Sequence, residues 1–438
     1  MSVKKVTLLL LSVIICLVSV SGCNTTGQDG KTTITFRTWN PSDSGPGSPI
    51  YRIIDDFERE NPDIHVDYGF IGSAAYQEHM RVELIGENGP DIYGISSGSA
   101  FDVFRLFEEE LTPYCENTWG RDWQDRFLDS CMESVRDSDG KVYGLPLGQT
   151  YAGYMWADVN MLKSYGLEVP RNYREMQETC RILRENGQQP LSIGAKDSWM
   201  NLDMWMSIAA DVDRDALYDA IEGRASFESE PIIESFRIWQ ESFGNGVFQD
   251  KAINMPIYDT VNDMFQKDGT IPMFTNGSWA MNMYTVSDEK TRRNFDAEGA
   301  DHDVFLIDWN DDGKVAPVTA NADVILCLNP ESRQKEAAFK FMAYLVGEGQ
   351  ELLVNQYLEY MPSLSDMEVN VRGLGDDGKK NLDYIIKNGK TNVAGPRGIK
   401  YEDISLAVCA ALKDLALGSI TPKEAAERVE QVSEKTIR

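Results

Sequence analysis

The N-terminal third of the chain alternates between strand-like and helical patterns. Apolar side chains occupy alternate positions in residues 33–39 (TITFRTW) and again in residues 64–70 (IHVDYGF). Between these two runs, residues 50–57 place four apolar side chains at the i, i+3, i+4 and i+7 positions of a helix. A helical stretch then reaches about Glu87, and residues 89–96 (GPDIYGIS) supply a turn and a short buried strand. This β-α-β-α-β order predicts the beginning of an α/β sheet.

Loops at the carboxyl ends of such strands are the expected ligand-binding positions. Residues 39–48 (WNPSDSGPGS) and 96–99 (SSGS) form two of these loops, and their small and polar residues suit close approach to a hydroxylated ligand. Ordinary turn chemistry explains the same residues, and on this pattern alone it is the preferred interpretation.

The sequence also marks the ends of the first helix and predicts further helices toward the C-terminal end. Ser48 and Pro49 match the N-cap and first position of the first helix, which Pro62 ends. Residues 331–346 (ESRQKEAAFKFMAYLV) have one apolar face, and residues 400–418 (KYEDISLAVCAALKDLALG) are the strongest helical stretch of the last third. Together these patterns predict an α/β protein.

The first 23 residues have the pattern of an export signal. Two lysines precede an apolar run over residues 6–20, and small residues lead to Cys23. The run is shorter than the roughly 20 residues of a membrane-spanning helix, so we expect export. Residues 20–23 (VSGC) resemble a bacterial lipobox, in which the cysteine receives a diacylglyceryl group and becomes the mature N-terminus.

We therefore predict a lipoprotein signal peptide over residues 1–22 and a flexible polar tether over residues 23–32. Lipidation of Cys23 predicts attachment to the cell membrane, on its extracytoplasmic face. The alternative is an ordinary signal peptide that leaves Cys23 as a free thiol.

Size and charge limit the remaining possibilities. About 415 residues follow the cleavage site, which is too many for one core and enough for two lobes. The formal net charge of -28 argues against nucleic acid or anionic lipid as a partner, because a polyanion is repelled. No further apolar run is long enough to cross a bilayer, so we expect contact with the membrane through the lipid anchor only.

Cysteine and histidine usage predicts neither a disulfide framework nor a metal centre. Five cysteines follow Cys23 at irregular spacing: Cys115, Cys131, Cys180, Cys327 and Cys409. Of these, Cys115 and Cys131 are close enough in sequence to form one bridge, which the sequence leaves open. Three histidines without metal spacing predict no zinc site.

Residues 211–222 (DVDRDALYDAIE) have a weak resemblance to a calcium loop. Acids occupy several of its ligand positions, but Ala216 stands where the sharp turn needs glycine. We expect a capped helix with solvated acids here, and no metal or cofactor in the protein.

Several longer stretches, taken in order, resemble one family. FERENPDIHVDY and ENGPDIYGIS lie in the first third, GKVYGLPLGQTYAGYMWADVNMLKSYGLEVP follows, and GTIPMFTNGSWAM carries an Asn-Gly-x-Trp turn. EAAFKFMAYLVGEGQELLVNQYLEYMPS then leads back to a Pro-Ser. These stretches resemble the sugar-binding extracellular solute-binding proteins of ATP-binding-cassette importers, which include maltodextrin-binding proteins. Trp156, Ala157 and Gly148 depart from the family pattern at local contacts.

The resemblance implies a two-lobed periplasmic-binding-protein-like fold of type II, with hinge crossings and a ligand cleft between the lobes. By this analogy lobe 1 comprises residues 31–148 and 315–360. Lobe 2 comprises residues 149–314 and 361–438. A ligand that bridges the lobes favours the closed form, which docks on the transmembrane subunits of a permease.

A sugar-binding site needs flat aromatic faces for the C–H surfaces and polar groups for the hydroxyls. The resemblance places candidates for these roles at the first strand, the first crossing, the Asn-Gly-x-Trp turn and the loops of the second lobe. The predicted ligand-binding residues are Trp39, Asp43, Gln149, Tyr151, Trp199, Trp279, Arg397 and Tyr401. Core packing or turn capping is the alternative role for each of them.

We therefore predict a membrane-tethered monomer that binds a carbohydrate, specifically an oligosaccharide, and delivers it to an ATP-binding-cassette permease. The protein is then not an enzyme. A secreted glycoside hydrolase is one alternative, since 70 acidic residues could include a catalytic pair. A sugar-sensing or adhesive lipoprotein with the same fold is the other.

Overall fold

The computed structural model describes residues 30–39, 48–137, 139–285 and 295–437. The predicted signal peptide, Cys23 and Asp43 lie outside these ranges. The strands are β1 (Thr32–Thr38), β2 (Ile64–Phe70), β3 (Ile92–Ser96), β4 (Leu145–Pro146), β5 (Gln149–Ala152), β6 (Met155–Asp158), β7 (Leu191–Ser192), β8 (Met273–Thr275), β9 (His302–Phe305), β10 (Val318–Ala322), β11 (Val324–Leu328) and β12 (Val393–Pro396).

The helices lie between and after these strands. They are α1 (Pro49–Glu60), α2 (Ser73–Ile85), α3 (Ser99–Phe104), α4 (Thr112–Trp119), α5 (Asp129–Met132), α6 (Val159–Ser164), α7 (Tyr173–Glu185), α8 (Ser198–Ile221), α9 (Glu230–Gly244), α10 (Lys335–Tyr344), α11 (Gln350–Asn355), α12 (Asp376–Thr391), α13 (Glu402–Ala416) and α14 (Pro422–Thr436). Within the described residues, no helix is both long and apolar enough to cross a bilayer.

The predicted β-α-β-α-β opening is present and builds the first sheet. Its strand order is β2-β1-β3-β11-β4, in which β1 is parallel to both β2 and β3. The returning strand β11 is antiparallel to β3 and β4. The apolar face of α1 is buried on this sheet, as its spacing predicts. The first core is the apolar cluster around Ile34, Phe57, Tyr93 and Phe341.

A second sheet, with strand order β7-β8-β6-β9, supports a separate apolar cluster. Helices α8 and α9 pack on each other, where the rings of Trp205 and Phe236 stack with centroids 5.0 Å apart. Trp205 is fully buried, in agreement with its expected role in the core. We call the cluster around Trp156, Trp205, Trp239 and Phe274 the second core.

Within the described residues, the chain changes core at three places. It does so between Leu147 and Tyr151, between Ala320 and Ala322, and within residues 358–364. A three-stranded sheet, β12-β10-β5, lies at these crossings, with β10 antiparallel to β5 and parallel to β12. The lobe boundaries inferred from the sequence stay a prediction.

Gly148 is required by packing at the first crossing. A Cβ atom at this position would overlap the side chain of Tyr360. The larger residues that are commoner here in the resembled family would therefore displace Tyr360 from the crossing.

The cysteines within the described residues are free thiols. Cys115 and Cys131 are both buried, and the bridge between them that the sequence left open is not formed. Burial raises the pKa of the Cys131 thiol to about 12, so this thiol is unreactive at neutral pH.

Two of the acids in residues 211–222 accept hydrogen bonds from backbone N–H groups. Asp211 Oδ2 accepts hydrogen bonds from the backbone N–H of Trp309, at 2.6 Å, and of Asn310, at 3.2 Å. Asp213 Oδ1 accepts one from the N–H of Ala216, at 2.9 Å. No group of three metal-ligating side chains occurs in the part of the chain that the structure describes.

Candidate functional site

A cavity of about 580 Å³ lies between the two cores. Side chains of the first core line one side, and side chains packed on the second core line the other. From the first side come Trp39, Tyr76, the turn at Ser96–Ser99, Val324 and Tyr360. From the second side come Trp199, Leu202, Tyr258, Trp279 and Ile399.

The first side is built at the carboxyl ends of parallel strands. Trp39 directly follows β1, and its ring lies 5.0 Å from the ring of Tyr76. The hydroxyl of Tyr76 donates to the carbonyl of Gly94 at 2.7 Å, which ties this ring to β3. A Cβ at Gly94 would approach the Trp39 ring to 3.2 Å and Val324 to 2.9 Å. The glycine therefore lets the indole lie close against the sheet.

The second side presents a group of three aromatic rings. The ring centroid of Trp199 lies 6.0 Å from that of Trp279 and 6.3 Å from that of Tyr258. Trp279 is in the short 3₁₀ helix Ser278–Tyr284, directly after the Asn-Gly turn. A Cβ at Gly277 would overlap the Trp279 ring, so glycine is needed for the indole to fold back over the turn.

Arg397 connects this aromatic group to two carboxylates. Its Nε and Nη2 donate to Asp203 at 3.0 and 2.9 Å, and its Nη1 donates to Asp323 Oδ1 at 3.1 Å and Thr150 Oγ1 at 3.0 Å. The guanidinium also lies over the ring of Trp279, 4.7 Å from its centroid.

Burial and charge act against each other in this network. Burial raises the pKa of Asp203, although Arg397 partly offsets the effect. Burial alone would lower the pKa of Arg397, but Asp203 and Asp323 outweigh it and raise that pKa. The arrangement is a charged, rigid support behind flat aromatic surfaces.

Four predicted ligand-binding residues line the cavity: Trp39, Trp199, Trp279 and Arg397. They lie far apart in the sequence, and the structure brings them together. Asp43 lies outside the described residues.

Gln149 and Tyr151 are buried side chains that do not line the cavity. The Tyr151 hydroxyl donates to Gln149 Oε1 at 2.8 Å, and Gln149 Nε2 donates to Ser130 Oγ at 2.9 Å. Successive side chains of a strand point to opposite faces. Thr150 lies on the face of β5 toward Arg397, and its two neighbours therefore point away from it.

Tyr401 also does not line the cavity. It stands at the N-cap of α13 and packs, half-buried, against the second core. Ile399 and Ser405, on either side of it in the sequence, reach the cavity instead.

Sequence reasoning missed several residues of the cavity. Asp203 lies in an otherwise apolar part of α8, and Asp323 separates the buried strands β10 and β11. Burying an unpaired carboxylate in an apolar run destabilises the fold. An acid in such a run therefore indicates a buried partner, and both Asp203 and Asp323 carried this signal in the sequence. No comparable pattern marks the other missed residues, which include Tyr76, Tyr258 and Tyr360.

The family model of bacterial extracellular solute-binding proteins matches residues 40–352. The chain belongs to this family. Membership in the solute-binding family confirms the prediction of a binding protein rather than an enzyme.

Known relatives are similar to the chain at low sequence identity. The putative ABC transporter periplasmic-binding protein YcjN of Escherichia coli is 22% identical over 277 residues, which are 61% of this chain and 60% of YcjN. The multiple sugar-binding protein of Streptococcus mutans is 22% identical over 185 residues, 42% of either chain. The matches thus span less than two thirds of the length of these solute-binding relatives.

Solved structures share the fold. Lmo0181 from Listeria monocytogenes, in complex with cycloalternan, has a TM-score of 0.74 at 20% identity and covers 93% of this chain and 99% of its own. Maltose-bound MalE3 of T. maritima has a TM-score of 0.73 at 17% identity and covers 92% and 99%. The predicted type II solute-binding fold is confirmed by these matches.

Proposed function

We propose that this protein binds a carbohydrate, of oligosaccharide size, in the cavity between its cores and delivers it to an ATP-binding-cassette permease. The observation that carries the proposal is the set of three tryptophans, Trp39, Trp199 and Trp279, around one cavity of about 580 Å³. Aromatic faces cover the apolar C–H surfaces of a sugar ring, and hydroxyl groups need the polar side chains between them.

The relatives support a carbohydrate ligand. Among solved structures of this fold, one is a chitin oligosaccharide binding protein and another is in complex with raffinose. The family model describes solute-binding proteins, so its match favours capture over hydrolysis.

Lobe closure is the proposed mechanism. A ligand that contacts Trp39 on one side and Trp279 on the other has more contacts in the closed form, and it therefore stabilises that form. The three crossings between the cores are the proposed hinge, with lobe 1 at residues 31–148 and 315–360 and lobe 2 at residues 149–314 and 361–438.

The export and anchoring steps rest on the sequence pattern alone. Lipidation of Cys23 would keep the monomer near its permease at high effective concentration. Cys23→Ala should release the protein from the membrane fraction, whereas Cys16→Ala, in the apolar run, should not. A Cys23→Ala protein that stays with the membrane would contradict the anchor.

A ligand screen tests binding. We expect at least one oligosaccharide, from a set that includes malto-, cello-, chito- and raffinose-type sugars, to raise the melting temperature of the purified protein and quench its tryptophan fluorescence. The bound sugar should be recovered intact. Steady release of smaller sugars would support a hydrolase, and a folded protein that binds none of them would refute the proposal.

A further inference from the structure

The cavity is lined by more carboxylates than cations. Its acidic side chains are those of Asp197, Asp203, Asp323 and Glu359. The basic side chains among its described residues are those of Lys196 and Arg397. The local charge therefore has the same sign as the net charge of the whole chain, -28.

The cation deeper in the cavity is not available to a ligand anion. Each of the three guanidinium nitrogens of Arg397 already donates to Asp203, Asp323 or Thr150, and its side chain is only 16% exposed. A ligand carboxylate could gain the two parallel bonds that arginine offers only by displacing Asp203 or Asp323. Lys196 is an exposed residue on a flexible stem, where a point charge is strongly screened.

Asp323 is oriented as an acceptor toward the cavity. Thr150 Oγ1, at 3.1 Å, and Arg397 Nη1, at 3.1 Å, both bind its Oδ1 atom. Its Oδ2 atom accepts no hydrogen bond from the described residues, and its side chain is 28% exposed at the cavity wall. An ionised carboxylate in this position accepts hydrogen bonds from hydroxyl or amino groups and repels another carboxylate.

We propose that Asp323 determines the charge specificity of this site. The site takes glycans that offer hydroxyl or amino donors, and it rejects glycans that carry carboxylates, such as uronic acids. The inference rests on the proposed carbohydrate-binding function. Rejection arises because a ligand carboxylate would meet an oriented carboxylate with no available cation beside it, which is discrimination by repulsion.

Matched ligands test the proposal. Each neutral oligosaccharide that binds in the screen is compared by titration calorimetry with its own C6-oxidised derivative, in which primary hydroxyls are carboxylates, and with its 6-amino derivative. We expect the oxidised sugar to bind at least tenfold more weakly than the neutral one. The amino derivative should bind within about threefold of the neutral sugar or more tightly.

The variant Asp323→Asn separates the effect of the Asp323 charge on binding from the effect of the space available to the ligand. It keeps the size of the side chain and an acceptor oxygen but removes the charge. The ratio of the affinities for the neutral and the oxidised sugar should therefore fall at least threefold. Asp383→Asn removes an exposed carboxylate on α12 outside the cavity, and it should leave this affinity ratio unchanged. Melting temperatures of both variants establish that they are folded.

Two results would overturn the inference while the proposed function stands. One is equal binding of neutral and oxidised sugars by the unaltered protein. The other is an affinity difference between neutral and oxidised sugars that Asp323→Asn leaves unchanged, which would show that Asp323 does not cause the rejection of the oxidised sugar. A folded protein that binds no sugar of any charge would instead overturn the proposed function.

Discussion

At the residue scale, Trp279 has the strongest support as a ligand-binding side chain. It lines the cavity, the Arg397 guanidinium lies 4.7 Å from its ring centroid, and the ring centroid of Trp199 lies 6.0 Å away. Trp279→Ala removes the flat surface on which a sugar ring would lie. We expect it to weaken binding of the screened oligosaccharide at least tenfold, about 1.4 kcal/mol, by calorimetry.

The matched control is Trp279→Phe, which retains a smaller aromatic face and should lose less affinity than the alanine variant. Circular dichroism and melting temperature separate binding from folding. An alanine variant with unchanged affinity would remove Trp279 from the site, and an unfolded one would assign it to the core.

Glu108 shows how burial sets the behaviour of a single group. Its side chain is fully buried beside the Cys327 thiol, with Oε2 3.5 Å from Arg105 Nη1. Burial raises the pKa of Glu108 to about 8, and Arg105 offsets only part of this increase. The folded state therefore binds this proton more tightly than the unfolded chain, where a glutamate pKa is about 4.3.

The sign of the pH dependence follows. The stabilisation of the folded state by the proton on Glu108 is fully present below pH about 4, and it is lost as pH rises through about 8. Compared with Glu108→Gln, the unaltered protein should lose on the order of 5 kcal/mol of unfolding free energy over this range. Urea unfolding at several pH values measures the difference.

Glu109→Gln is the control for this experiment. It removes the next carboxylate along the chain, which pairs with Lys335 at 3.0 Å, and it should leave the pH-dependent loss in place. If the free energy of unfolding depends on pH in the same way for the unaltered protein and for Glu108→Gln, Glu108 does not titrate with a raised pKa.

Strand β5 shows what sequence alone could not resolve at a single residue. Gln149 and Tyr151 are the ligand-binding residues predicted on this strand, but Thr150 makes the contact with Arg397, and the Tyr151 hydroxyl donates to Gln149 instead. Because side chains alternate along a strand, the choice depends on which face is turned to the cavity. That face is set by the pairing of β5 with β10.

At the element scale, the 3₁₀ helix Ser278–Tyr284 holds Trp279 at the cavity. The Tyr284 hydroxyl, at its C-terminal end, donates to Asp377 Oδ2 at 2.7 Å and accepts from Asn381 Nδ2 at 2.8 Å. Both partners lie on α12. The aromatic surface is therefore attached to a helix of the second core, and under the proposed closure it would move with that helix.

Two helix starts that look alike in sequence differ in the structure. Thr421 forms a full capping box with Glu424 at α14, with its hydroxyl accepting from the Glu424 N–H at 3.2 Å. Ser48 occupies the N-cap of α1, but its hydroxyl makes no capping bond among the described residues. Its backbone carbonyl accepts from Tyr51 instead.

Thr421→Ala should therefore lower the free energy of unfolding by about 1 kcal/mol, because a bonded cap is lost. Ser48→Ala is the matched control and should change it by less than about half of that. Chemical unfolding of the two variants measures the contrast. Equal losses would mean that the hydroxyl contact does not determine cap strength here.

At the scale of the whole molecule, two cores joined by three crossings surround one cavity. The proposed motion at the crossings would change the cavity without disrupting either core, because each core is a separate apolar cluster. A bridging oligosaccharide should lower the radius of gyration of the protein in solution, as measured by small-angle X-ray scattering.

The scattering experiment has an internal control. Trp279→Ala should show the same profile as the unaltered protein without sugar and a smaller change at equal sugar concentration, because less of it is bound. Saturated binding with an unchanged profile would contradict lobe closure and leave binding itself intact.

Local sequence determined much of this protein. Periodicity predicted the opening strands and helices, and ordered motifs predicted the family and the tryptophans on both sides of the cavity, because these signals lie within short stretches of chain. Only the tertiary structure decided which polar groups meet there. Arg397 and Asp203 are 194 positions apart, and Arg397 and Asp323 are 74 apart. Their contact, and the charge specificity proposed from it, depend on how the crossings bring the two cores together, which local patterns do not encode.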